Sequence, residues 1–259
     1  MNPPRFTLPT LRETLPDLAA FTVGLAFAWS SGWKTTDLVW SLWLCSLVLG
    51  YLTILSAIGE CVFLGSAVVF SDAFPAQLRA KSILIGSAVA LFVLAFFSIH
   101  FCGFHAVHAG FLSSFFPLTD VPKRAFAAVS FNPISLWKVT CHYLMPRYGL
   151  FLIPVIISER RVLFGSIGAM IHARRVASAE DATQLFRAAG VSGHALFSRP
   201  YINVIRMHVL IFFFAICHAL KVDSLPIYIV VYSVYFFPWS AFRSDPAGAL
   251  RPLADSTPL

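Results

Sequence analysis

"KSILIGSAVALFVLAFFSIHFCGFHAVHAGFLSSFF", residues 81–116, decides the fold. From Ser82 to Phe116 it carries no Asp, Glu, Lys or Arg. About 20 apolar residues suffice to cross a bilayer as a helix, at about 1.5 Å of rise each. This run is longer than one crossing. Hydrocarbon offers no water to the backbone amides, so a continuously apolar run must satisfy them within itself, as a helix does. The lumen-and-lipid alternation of a β-barrel strand is absent from it.

The rest of the chain agrees. Its 259 residues are 58% hydrophobic and 12% charged, with a mean hydropathy of +0.77. Soluble domains carry about 25% charged residues. The expected fold is all-α: a polytopic transmembrane bundle of about six spans. They fall near 17–33, 38–58, 88–114, 139–158, 202–220 and 225–242, all in one integral membrane domain (1–259). Two helical runs exceed a single span. One starts near Asp37 and must tilt, break or run beyond the membrane, with Gly59 and Glu60 as the natural place for the change; the other runs from Lys81 to Phe116. The region 59–81 is therefore expected to hold extra helix along the inner surface. Residues 117–138, with Pro117, Pro122, Asn132 and Pro133, read as loop, and 159–201 as a cytoplasmic amphipathic helical segment.

The N-terminus has no compact apolar core or small-residue cleavage site, so the first span is the expected insertion signal. Basic residues collect on the cytoplasmic side of membrane proteins. With the N-terminus inside, Lys34, Lys123, Arg124, Lys138 and Lys221 fall outside. Arg147 and Arg206 fall within spans, and the other 12 of the 19 Lys and Arg fall inside. Both termini are expected to be cytoplasmic, in an inner membrane. The net charge of +7 has the same origin, and no basic patch interleaved with stacking aromatics points to nucleic acid. The expected partners are the bilayer and either other membrane subunits or further copies of the chain. Five cysteines, an odd number in or beside apolar segments, argue against a disulfide framework.

Ionisable side chains at membrane depth are the candidate functional residues, because they are costly there unless paired or wet. They are Glu60, His100, His105, His108, His142, Arg147, Arg206, His208 and His218. His105 and His108, three apart, share a helix face. His100 and His108 differ by about 80° in azimuth and about 12 Å along the axis, so both can face one interior without sharing an ion. Arg147 follows Pro146 and suits a distorted turn facing an anion. The imidazoles fit a transition metal, with His100, His105, His108, His142, His208 and His218 as candidate ligands, or a b-type haem held by His100 and His208. They fit equally a proton relay in a metal-free enzyme or carrier, hydrogen bonds between helices, or contacts in a structural subunit of a larger complex. No nucleotide-binding, serine-hydrolase or zinc-protease signature is present.

"HFCGFHAVHAGFL", with His100, Phe101, Phe104, His108 and Phe111, resembles the H-[YF]-x-x-F-x-x-x-H-x-x-F motif of an uncharacterised bacterial and archaeal family of multi-span membrane proteins. "PYINVIRMHVLIF", with Pro200, Tyr201, Arg206 and His208, is similar to a second segment of that family. "LVLGY", ending at Tyr51, is loosely similar to a third, but the acidic residue usual soon after the Tyr is missing, and Glu60 is the nearest substitute. The resemblance implies that His100, His108 and His208 act together, and it supplies no reaction.

Overall fold

The computed structural model describes residues 11–71, 74–122, 124–126, 129, 131–160 and 163–164, with a few single positions between 205 and 233. Among them every regular element is helical. α1 is Leu11–Ser30, α2 Thr35–Val69 and α3 Ala76–Phe115. A third long helical run, Pro133–Ser158, comprises α4 (Pro133–Val139), a π-turn (Thr140–Leu144), α5 (Met145–Tyr148), a 3₁₀ turn (Gly149–Phe151) and α6 (Leu152–Ser158). α2, α3 and the 133–158 run are long and apolar enough to cross a membrane, while α1 contributes a shorter apolar stretch. Of the expected spans at 202–220 and 225–242 only scattered positions are described, and nearly all of the 159–201 segment lies outside the described residues.

α1 ends at "WSSGW" for a local reason. Gly32 adopts φ +62°, the left-handed conformation that favours glycine. The Trp33 amide bonds back to the Ala28 carbonyl, and the Gly32 amide to that of Trp29. That pair of bonds is a Schellman cap, and its usual apolar contact is present as Trp33 packs edge-on against Phe27 at 5.6 Å. Asp37 then opens α2, its Oδ2 accepting from the Lys34 amide at 3.0 Å.

Of the three alternatives for the long second run, a break at Gly59–Glu60 is the one that α2 does not take. α2 continues through both residues to Val69, and α3 begins at Ala76. Residues 59–69 and 76–81 are helix beyond the expected spans, carried as extensions of α2 and α3 in one antiparallel hairpin. At about 52 Å and about 60 Å, both helices exceed the hydrocarbon thickness. In lipid, water does not compete for the helical hydrogen bonds, so a glycine does not by itself stop a helix.

Two small residues allow close approach, Gly50 between α2 and α3 and Gly103 between α3 and the segment before α4. A Cβ on Gly50 would overlap the Phe101 ring, and one on Gly103 would overlap Phe131. Tyr51 sits edge-on to Phe97, Phe101 and Trp137. Gly103 lies about 18 Å down α3 from Phe115, and Tyr51 about 21 Å down α2 from Asp37, by helical rise. Phe131 and Trp137 therefore lie at that depth along the hairpin. The chain then returns, because Arg147 again meets Asp37. The expected loop at 117–138 consequently ends in helix: Asn132 Oδ1 caps α4 through the Ile134 and Ser135 amides, with Pro133 at the first turn. α6 then packs along α1, and Arg160 pairs with buried Asp17 at its far end.

Candidate functional site

The buried face of α3 is the stripe Phe97, Phe101, His105, His108 and Leu112. His105 is fully buried. Its Nδ1 donates to the Phe101 carbonyl at 3.0 Å, which leaves Nε2 as acceptor, facing the Ser46 hydroxyl of α2 at 3.3 Å. Ring contacts with Phe101 and Trp43 hold the imidazole in place. Trp43 donates its indole N–H to the His105 carbonyl at 3.1 Å, and Trp40 donates to the Phe116 carbonyl at 2.9 Å. Nearby, the Tyr51 hydroxyl meets the Cys102 thiol at 3.1 Å. These polar contacts fasten α2 to α3 inside an aromatic core, and each of the donors named here finds a partner.

His108 is also buried, its ring centroid 6.1 Å from that of His105. His100 is not with them. It lies exposed on the far side of α3, stacked on Phe96 and edge-on to Phe104. Of His100, His108 and His208, expected to face one interior, His208 lies outside the described residues, His108 is buried and His100 is exposed. The reason is azimuthal: the buried stripe is centred on Phe101 and His105, and His100 is about 140° from His105. His142 is exposed, in the π-turn. His208, His218 and Arg206 lie outside the described residues. Among the described residues no group of three or more His, Cys, Asp or Glu is placed to hold a metal ion. Glu60 is buried within α2, and the five cysteines are free thiols.

Charge gathers instead at the other end of the core, where α2 begins. Asp37, mostly buried, is held from three directions. Its Oδ1 accepts from the Tyr148 hydroxyl at 2.9 Å and pairs with Arg147 Nη2 at 3.2 Å, and its Oδ2 takes the Lys34 amide. Arg147 turns its other nitrogen, Nη1, to Asp120 at 3.5 Å. It does so from the distorted stretch around Pro146, between the π-turn and the 3₁₀ turn.

Beside this pair opens a polar vestibule of about 530 Å³. Lys34, Thr36, Asp37, Thr119 and Arg147 supply its polar lining, and Phe27, Trp33 and Leu118 its apolar walls. Trp33 is itself wedged against Tyr148 and Phe151. Between Asp37 and Ser46 along α2 come Trp40 and Trp43, both fully buried, and Phe126 packs against both rings. That aromatic layer separates the vestibule from the histidines.

The sequence singled out Arg147 but none of its partners. Asp37 and Tyr148 are 111 residues apart, and nothing local joins them. No protein family, curated protein or solved structure matches this chain. The likeness to the uncharacterised membrane family therefore rests on the motif residues alone.

Proposed function

We propose that this chain is a metal-free membrane carrier or enzyme that takes a small polar ligand at the Arg147–Asp37 vestibule. Six spans in an inner membrane with both termini cytoplasmic would put that vestibule on the outer face; the Lys and Arg distribution supports this orientation.

One observation carries the reading. An arginine and a mostly buried aspartate, tied by Tyr148 and a main-chain amide, line a cavity of about 530 Å³ with Lys34 at its edge. A cavity of that size with a few convergent polar groups has the character of a small-molecule site. The histidines support it less well. His105 already spends both ring nitrogens, on Phe101 and Ser46. A proton relay from His105 to the vestibule would have to cross the Trp40–Trp43–Phe126 layer.

The test is calorimetric titration of the purified full chain in maltoside micelles with four probes: inorganic phosphate, glycine betaine, choline and glucose. The reading expects saturable binding of at least one, lost in Arg147→Gln. Binding of none, or binding indifferent to Arg147→Gln, overturns it.

A further inference from the structure

We propose that the vestibule takes a phosphate group, free or on a lipid headgroup, in the place where Arg147 now meets the Asp120 carboxylate. This rests on the reading of the vestibule as a ligand site and names the ligand's chemistry.

The two carboxylates on Arg147 are unequal. Asp37 is 14% exposed and fixed by the Tyr148 hydroxyl, the Lys34 amide and Arg147 Nη2. Asp120 is 83% exposed and meets Nη1 at 3.5 Å. It sits on the loop after α3, whose Pro117, Leu118 and Thr119 line the vestibule. Exposed ion pairs contribute little, because water solvates both partners. The planar guanidinium therefore has one edge committed to a fixed acid and one edge engaged by a removable acid.

With Asp120 turned away, the charges left around the vestibule are Lys34 and Arg147 against Asp37. The balance becomes net positive. The N-terminus of α2, with Thr36 on the lining, adds its partial positive charge to the same space. A cationic ligand would meet two cations here. A carboxylate or a phosphate could replace Asp120 on Nη1. Phosphate fits better, because its additional oxygens offer acceptors to the Lys34 ammonium on the same lining while one remains on Arg147. Asp120 is then a built-in competitor, and the 116–122 loop must yield for the ligand to enter.

The deciding variant is Asp120→Asn, because misfolding does not produce a gain in affinity. In maltoside micelles, which carry no phosphate, inorganic phosphate should bind the wild type and bind Asp120→Asn about two- to fivefold more tightly, the equivalent of a weak exposed pair. Arg147→Gln should lose phosphate binding, and Arg147→Lys should retain part of it. Unchanged or weaker phosphate binding in Asp120→Asn overturns the proposal. Binding of choline or betaine without phosphate overturns it too, while leaving the vestibule standing as a ligand site; binding of no probe overturns both. Two further titrations, with glycerol 3-phosphate and with phosphatidylglycerol against phosphate-free dioleoylglycerol, identify the source. Tighter soluble ester points to a free ligand and tighter phospholipid to a headgroup, and either result upholds the shared chemistry.

Discussion

Replacing His105 separates a fastening from a ligand. The ring is fully buried, bonded to Phe101 and Ser46, and packed by Trp43. His105→Ala removes an aromatic-sized side chain and leaves a cavity, which costs about 3–5 kcal/mol for comparable truncations. It also strands the Ser46 hydroxyl. His105→Phe keeps most of the volume and loses only the hydrogen bonds, so its cost should be about 1–2 kcal/mol. A chain of this length shifts its unfolding midpoint by about 2–4 °C per kcal/mol. The expected losses are therefore about 6–20 °C for His105→Ala and about 2–8 °C for His105→Phe, read by thermal unfolding of purified protein. Elemental analysis of the same samples should stay at background in the wild type and both variants. The reasoning fails if His105→Phe costs as much as His105→Ala. It fails equally if the wild type carries stoichiometric metal that both variants lose.

Gly50→Ala should destabilise by about 1–3 kcal/mol through overpacking against Phe101, and Gly50→Ala with Phe101→Leu should recover much of the loss; a double-mutant cycle of unfolding midpoints showing no coupling would count against the packing described. Asn132→Ala removes the cap of α4 and should cost about 1 kcal/mol, whereas Asn132→Asp should stay near wild type in the same assay.

Much of the helical skeleton was legible in the residues. "WSSGW" signals its own Schellman cap, and the uncharged run from Ser82 to Phe116 is helix throughout. Asn132–Pro133 is an N-cap followed by a first-turn proline, a signal for α4 that was present but hidden among loop formers. The course of α2 past Gly59 and Glu60 was only partly legible: its length required a tilt, a break or a run beyond the membrane, and nothing local chose among them. For the histidines, spacing alone left the buried stripe unplaced. His100 and His108 are compatible with one face, but the Phe97–Phe101–His105 series at four-residue steps fixes where that face points, and His100 falls off it. The vestibule was the least legible part. Asp37, Asp120 and Arg147 come from three distant parts of the chain, and no periodicity encodes their meeting.

The most direct measurement of the vestibule account is the rate at which a membrane-impermeant maleimide modifies Thr119→Cys in sealed vesicles of known orientation. Thr119 lines the cavity, and the native cysteines provide the background rate in the unsubstituted chain. The account predicts labelling from the face opposite the termini, slowed by inorganic phosphate, with the slowing absent in Thr119→Cys combined with Arg147→Gln. Labelling only from the side of the termini, or a rate that phosphate leaves unchanged, would contradict it.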